Sequence, residues 1–219
     1  MAEHHSDAKS RFLATMSHEM RTPLHGILGL ARMLHDDEHR PLARNRLELL
    51  QRSGDHLLTV INDVLDFSKI EAGMLSLEMA PFDLKDLVET LRQLFSAKAA
   101  EKGLYLTVQW PEGLHRRYLG DALRLQQVLS NLVSNALKFT ESGGARVEVE
   151  AASAGDLEKL TVRVVDTGVG MGETARARLF QAYSQAEAST SRRFGGTGLG
   201  LVISRKLVEA MGGALTVES

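Results

Sequence analysis

The stretch VVDTGVGM at residues 164–171 places one carboxylate directly before two glycines. The residues before it are apolar and β-branched, so Asp166 stands at the end of a predicted strand. A carboxylate there can accept a hydrogen bond from an amino group such as that of adenine. Gly168 and Gly170 permit positive φ and a close approach of the backbone to a ligand. An ordinary β-turn also explains these residues, and it is the better explanation of this stretch taken alone.

A second glycine-rich stretch, GGTGLGL at residues 195–201, opens the last predicted helix. Backbone N–H groups at such a helix start form an anion site that suits phosphate groups. A dinucleotide fingerprint would need G-x-G-x-x-G directly after a strand, whereas this spacing is G-x-G-x-G after the polar STSRRF. A flexible loop is the remaining alternative.

A third stretch, NLVSNALKFT at residues 131–140, carries two asparagines one helical turn apart. Asn131 and Asn135 therefore share one face of a predicted helix. Their amide oxygens can complete a Mg²⁺ shell made mainly of phosphate oxygens and water. Lys138 follows Asn135 by three residues and can reach a phosphate. For this stretch alone, a helix with two polar surface positions is the favoured explanation.

The elements that position these residues fall into two parts. Apolar residues recur at spacings of three and four between residues 12 and 34, and again between residues 47 and 70, which predicts two long helices. Pro41 suits the start of the second helix and Gly73 suits its end. Each apolar stripe is too broad to be covered by one partner helix. We therefore expect an antiparallel hairpin that forms a four-helix bundle in a homodimer.

After Gly73 the apolar pattern changes to that of a mixed α/β sandwich, in which helices cover a sheet. The predicted strands are MLSLEM, LYLTVQW, GARVEVEAA and KLTVRVVD. The predicted helices cover about residues 83–102, 121–138 and 199–211, with Asp83 capping the first of them and Gly103 ending it. We therefore predict two domains, one of residues 1–73 and one of residues 74–219.

Composition limits the classes of function. The formal net charge of −2 gives no electrostatic reason to expect nucleic-acid binding. The absence of cysteine excludes disulfides, thiolate zinc sites and a cysteine nucleophile. No apolar run approaches the roughly 20 residues of a membrane span. We expect membrane attachment only through segments outside this sequence.

Taken together, the motifs resemble those of a known superfamily. Asn131–Lys138, Asp166–Gly170, Leu179–Tyr183 and Gly196–Gly200 resemble, in order and spacing, the N, G1, F and G2 motifs of the Bergerat ATP-binding fold. That fold is shared by DNA gyrase, certain chaperones, mismatch-repair ATPases and histidine kinases. FLATMSHEMRTPLHG at residues 12–26 resembles the phosphoacceptor box of sensor histidine kinases, closely that of the hybrid type.

The resemblance implies a helical hairpin followed by an α/β sandwich of Bergerat type, with ATP and Mg²⁺ as cofactors. The cofactor-binding residues that it implies are Asn131, Asn135, Lys138, Asp166, Gly168, Gly170, Gly196, Thr197, Gly198, Leu199 and Gly200, with Asn135 and Asn131 as metal ligands. Hydrolytic members of the superfamily carry a water-activating glutamate at the position of Asn131. Phosphoryl transfer, rather than rapid hydrolysis, is therefore expected.

The same resemblance assigns catalytic roles to His18, Glu19 and Thr22. A neutral imidazole is a competent nucleophile, so His18 would attack the γ-phosphoryl group of ATP. Glu19 would accept the proton of the other ring nitrogen. In the family, the position of Thr22 is associated with a water that dephosphorylates the partner's phospho-aspartate. A zinc protease would need H-E-x-x-H, and threonine at position 22 excludes it.

The implied function is the cytoplasmic core of a hybrid-type sensor histidine kinase. It would autophosphorylate His18 and pass the phosphoryl group to a receiver-domain aspartate, with an associated phosphatase activity. Two alternatives stay open: a Bergerat ATPase that switches conformation, and a non-catalytic dimer that inhibits another kinase. In the family, the sheet continues past the position of LTVES into another strand, so we expect an edge strand to be missing here. Because no sensory or receiver segment is present either, we expect the sequence to be an excised fragment.

Overall fold

The structure, a computed structural model, describes residues 24–29, 31–32, 41–154, 157–180 and 199–219. The chain divides into two compact units, Met1–Leu75 and Ser76–Ser219. The first unit is helical where it is described, and the second combines helices with two small sheets.

The helical unit contains α1, described over residues 24–29 and 31–32, and α2, Pro41–Glu71. The predicted start at Pro41 and the stop at Gly73 are confirmed, since the helix begins at Pro41 and Gly73, two residues after its last residue, has a φ of +66°. The two helices pack so closely at Gly54 that a Cβ there would collide with the side chain of Leu28. The first half of the predicted N-terminal stripe, before residue 24, lies outside the described residues.

Among the described side chains of the helical unit, three apolar ones are buried, namely Leu28, Ala31 and Leu65. Other apolar side chains of the same two helices are exposed in the single chain. Three of them are Leu50, Leu57 and Val64, which are 52%, 49% and 38% exposed. We call these three residues the heptad row. Their spacing of seven places them along one line of α2, as in a helix-packing seam.

The α/β unit contains five strands and four helices in its described part. In chain order they are β1 (Ala80–Asp83), α3 (Leu84–Glu101), β2 (Tyr105–Gln109), β3 (Arg117–Gly120), α4 (Ala122–Phe139), β4 (Gly144–Ala154), β5 (Leu157–Asp166), α5 (Glu173–Arg178) and α6 (Gly200–Ala210). The main sheet has the order β2-β4-β5, with β2 parallel to β4 and β5 antiparallel to it. The predicted pairing of GARVEVEAA with KLTVRVVD is confirmed.

The core of this unit lies between the main sheet and the helices α3 and α4. Ala145, Val147 and Val149 of β4 are buried, and the residues between them point away, as the period of two in a strand requires. The predicted cap at Asp83 is confirmed, since its side chain accepts from the backbone N of Asp86. Asp121 caps α4 in the same way by accepting from the backbone N of Arg124. Each carboxylate satisfies an orphan donor at a helix start.

One predicted strand is wrong. MLSLEM, at residues 74–79, carries no strand, and β1 begins only at Ala80. The backbone N of Glu78 donates to the carboxylate of Asp121 at 3.0 Å instead of joining a ladder. Two further elements were not predicted: strand β3, which pairs with β1 in a separate two-stranded sheet, and helix α5.

None of the helices in the described part of the chain combines the length and apolar character that a membrane span requires.

Candidate functional site

Helix α4 separates an apolar face from a polar one. Val133 and Leu137 are fully buried in the core. Asn131 and Asn135 lie on another face, where the Asn135 Nδ2 donates to the Asn131 Oδ1 at 3.3 Å. We call these two asparagines the amide pair. The prediction that they share one helix face is confirmed by this contact.

The start of α6 packs directly against the amide pair. The Asn131 Nδ2 donates to the Ser204 Oγ at 2.9 Å. A Cβ at Gly200 would lie only 2.7 Å from the Asn131 Oδ1, so a larger residue at this position would have to displace that amide. Leu199, directly before α6, is buried. The structure thus brings Gly200, the last residue of the predicted Gly196–Gly200 motif, to Asn131 of the amide pair.

The turn at residues 166–170, here called the Asp166 turn, meets the C-terminal end of α4. The backbone N of Gly168 donates to the Asp166 Oδ1 at 2.8 Å, and the backbone N of Val169 donates to the Phe139 carbonyl at 3.4 Å. A Cβ at Gly168 would lie 2.7 Å from both of those acceptors. Gly170 has a φ of +68°. Both predicted glycines are therefore required by the backbone.

The Asp166 carboxylate is exposed at the end of β5. Its Oδ1 is used within the turn, and no donor among the described residues contacts its Oδ2. A carboxylate oxygen in this state can accept a hydrogen bond from an amino group of a ligand.

Thr167 is a residue of the turn that sequence reasoning missed. Its hydroxyl donates to the Ser142 carbonyl at 2.8 Å and accepts from the backbone N of Gly144 at 3.0 Å. These bonds fasten the Asp166 turn to the connection between α4 and β4. The available signal was the glycine pair at 143–144, since Gly143 has a φ of +90° and a side chain there would collide with Thr167.

Lys138 lies near the C-terminal end of α4, close to the Asp166 turn. Its Nζ is 4.9 Å from the centroid of the Phe139 ring. Burial lowers the pKa of Lys138 below its usual value, and the nearby charge of Lys98 lowers this pKa further. A partly desolvated ammonium group gains from an anion such as a phosphate. Lys102 has a different role, because its Nζ donates to the Leu137 carbonyl at 2.7 Å and caps the helix.

The amide pair also fits a hard cation. Mg²⁺ takes oxygen ligands and keeps waters or phosphate oxygens in its shell. No described residue donates to the Asn135 Oδ1, whereas the Asn131 Oδ1 already accepts from Asn135. No cluster of three His, Cys, Asp or Glu side chains suited to a metal occurs in the described ranges. A cation here would therefore rely on the Asn135 amide and on oxygens of its ligand.

Several predicted site residues lie outside the described residues. They are His18, Glu19, Thr22, Gly196, Thr197 and Gly198. Of the predicted F motif, Leu179 and Phe180 are described, and the Phe180 ring lies 5.0 Å from the guanidinium carbon of Arg205 on α6.

Two family models match the chain. The model of the His Kinase A (phospho-acceptor) domain matches residues 8–73. The model of histidine kinase-, DNA gyrase B- and HSP90-like ATPases matches residues 120–219.

Individual relatives of the chain are also kinases. The signal transduction histidine-protein kinase BarA of Escherichia coli (strain K12) is 48% identical over 212 residues, which are 96% of this chain and 23% of that protein. The autoinducer 2 sensor kinase/phosphatase LuxQ of Vibrio parahaemolyticus is 41% identical over 220 residues, which are 100% of this chain and 26% of that protein. The chain thus spans about a quarter of the length of these curated relatives.

A solved structure shows the same arrangement of elements. The crystal structure of full-length ShkA in complex with AMPPNP superposes with a TM-score of 0.78 and 41% sequence identity. The match covers 95% of this chain and 42% of that chain.

Proposed function

Because this chain belongs to the sensor histidine kinases, we propose that it transfers the γ-phosphoryl group of ATP to His18. One observation carries the proposal: the Asp166 turn, the amide pair and the start of α6 all meet around α4. Three stretches that are far apart in sequence are thereby assembled into one candidate nucleotide site. The match to both family models supports the kinase over a conformational ATPase and over a non-catalytic dimer.

Within the α/β unit, each group has a role that follows from its chemistry. The Asp166 Oδ2 accepts from the adenine amino group, while Gly168 and Gly170 let the ring approach the backbone. Lys138 and the backbone of residues 196–200 hold the phosphates. Asn135 supplies the amide oxygen that binds Mg²⁺, with Asn131 beside it. The cation, when bound, neutralises phosphate charge.

The chemical step uses the imidazole of His18 as nucleophile. One ring nitrogen forms a P–N bond as the bond between the γ-phosphorus and the bridging oxygen breaks, and ADP leaves. Glu19 accepts the proton from the other ring nitrogen. We assign the nucleophile to a domain at residues 1–73 and the nucleotide to a domain at residues 74–219. Asparagine at position 131 cannot act as a base. Water is therefore not activated efficiently as a nucleophile in place of His18.

The helical unit supplies the partner surfaces. The heptad row is exposed in a single chain and suits the same row on a second copy, which supports the homodimer. A receiver-domain aspartate, on this protein or on another, takes the phosphoryl group from His18. Thr22 assists dephosphorylation of that aspartate, in keeping with the kinase/phosphatase name of LuxQ. The reaction takes place in the cytoplasm, and membrane attachment belongs to other segments of a longer sensor.

The test compares wild type with His18→Gln after incubation with radiolabelled ATP and Mg²⁺. Phosphohistidine is acid-labile and alkali-stable, so we expect such a label in wild type and none in His18→Gln. His25→Gln is the matched control, because His25 lies seven residues on and is exposed on α1, and it should keep the label. A label that persists in His18→Gln, or rapid ATP hydrolysis that does not need His18, would overturn the proposal.

A further inference from the structure

Ser204 is a buried polar residue for which the motifs assign no role. Its exposure is 2%, in the middle of α6. A hydroxyl removed from water costs free energy unless it is hydrogen-bonded. The Ser204 Oγ has a partner in the Asn131 Nδ2, which donates to it at 2.9 Å. A side chain of α6 therefore contacts the amide pair from the side opposite Asn135.

The contact holds the Asn131 side chain in one position against α6. The Asn131 Nδ2 reaches Ser204, and on the other side of the same amide the Oδ1 accepts from the Asn135 Nδ2 at 3.3 Å. In this arrangement the Asn135 Oδ1 is left for a cation. A serine hydroxyl both donates and accepts, so Ser204 fixes where the Asn131 amide lies and not which of its two atoms makes the contact.

Packing against the start of α6 leaves the Asn131 amide little freedom on that side. A Cβ at Gly200 would lie 2.7 Å from the Oδ1 and 3.2 Å from the Nδ2 of Asn131, so the backbone of α6 lies close to the group. Ser204 is the described residue of α6 that hydrogen-bonds the amide at this place.

We infer that Ser204 is a positioning residue that holds Asn131, and through it Asn135, in place for the Mg²⁺-dependent part of nucleotide binding. The inference rests on the proposed function, since it concerns the same nucleotide site. Ser204 itself touches neither nucleotide nor metal in this scheme. Its effect should therefore appear in the coupling between Mg²⁺ and nucleotide, and not in nucleotide affinity as a whole.

The experiment measures the affinity of the full chain for a non-hydrolysable ATP analogue by calorimetry, once with EDTA and once with saturating Mg²⁺. The ratio of the two affinities is the Mg²⁺ coupling. For Ser204→Ala we expect this ratio to fall by about 10-fold, the lower end of what loss of a group that orients a metal ligand does to metal affinity. Affinity in EDTA should change by less than about twofold, since the hydroxyl does not contact the nucleotide.

Three further variants separate positioning from general destabilisation. Ser204→Thr keeps the hydroxyl and should keep the coupling. Ile203→Val, at the adjacent buried position of α6, should lower Tm without changing the ratio. Asn131→Ala with Ser204→Ala should lose no more coupling than Asn131→Ala alone, because the serine acts through that asparagine.

An unchanged ratio in Ser204→Ala, or an equal loss of affinity with and without Mg²⁺, overturns the inference. So does additive loss in the double variant, which remains informative if Ser204→Thr folds poorly. If wild type itself shows no Mg²⁺ coupling, the magnesium part of the proposed function fails together with this inference. If wild type shows coupling and Ser204→Ala retains it, only the inference fails.

Discussion

The two units of the chain differ in how completely they bury their apolar residues. In the α/β unit, helices and sheet enclose a core in which Leu84, Val133 and Leu137 have no exposed surface. In the helical unit, the side chains of the heptad row are exposed to solvent in the single chain. Exposed rows of this kind are rare on monomeric proteins and mark contact surfaces. The difference indicates that the core of the α/β unit is covered within one chain, whereas the heptad row of the helical unit is a surface open to a partner.

The largest expected effect comes from breaking the closed core. Leu137→Ala removes a side chain that is 0% exposed and leaves a cavity, which costs about 2–5 kcal/mol of unfolding free energy. Denaturant unfolding followed by the fluorescence of Trp110 measures this loss, since Trp110 is the single tryptophan and packs against this core. The midpoint should fall independently of protein concentration. A loss below 1 kcal/mol would show that the core is less complete than it appears.

The next largest effect concerns the helical unit. Leu57→Glu puts a charge into the middle of the heptad row, so we expect the dimer dissociation constant to rise by at least about 10-fold, or about 1.4 kcal/mol. Sedimentation equilibrium measures it. Leu123→Glu is the matched control, because Leu123 is 70% exposed in the α/β unit and should leave the dimer unchanged. An intact dimer in Leu57→Glu would place the interface elsewhere.

A smaller effect tests whether tight packing in the α/β unit also shapes the nucleotide site. Gly200→Ala would place a Cβ 2.7 Å from the Asn131 Oδ1 and displace the amide pair. Overpacking costs about 1–3 kcal/mol, so nucleotide affinity should fall by about 10-fold in calorimetry. Gly172→Ala serves as control, because a Cβ there meets no atom within 4 Å. Equal affinities in both variants would contradict this packing.

The smallest effect is a pH dependence within the same unit. Burial lowers the pKa of Lys138, so the ammonium group loses its proton at a lower pH than an ordinary lysine does. The charged form attracts phosphate and exists below this pKa. Nucleotide affinity should therefore decline as pH rises toward and through the lowered pKa, and the decline should disappear in Lys138→Arg, which stays charged. A wild-type affinity that is constant up to the usual pKa of lysine would contradict the role of Lys138.

Sequence reasoning succeeded where local chemistry is sufficient. Asp83 identified a helix start because a capping carboxylate acts within three residues of its partner. The alternation in β4 and β5 identified a pair of strands because their two faces differ so clearly in polarity. The positive φ at Gly73 and Gly103 likewise matched their predicted places at helix ends.

Sequence reasoning failed where distant segments decide the structure. Strands β1 and β3 have four residues each, too few to show alternation, and they pair across an intervening helix and strand. The bond between Asn131 and Ser204 spans 73 positions in the chain, so neither residue predicts the other. Thr167 was overlooked because its partners lie about 25 positions earlier. The motifs thus predicted candidate site residues, while the contacts that hold the described ones together required the structure.

The most direct test of the central claim is to locate the phosphoryl group after reaction. The full chain is incubated with ATP and Mg²⁺, kept at alkaline pH, digested and analysed by mass spectrometry. We predict one added phosphoryl group on the peptide that contains His18, with fragment ions that place it on that imidazole. A fully dephosphorylated His18 peptide, in a chain shown by calorimetry to bind the nucleotide, would contradict the claim.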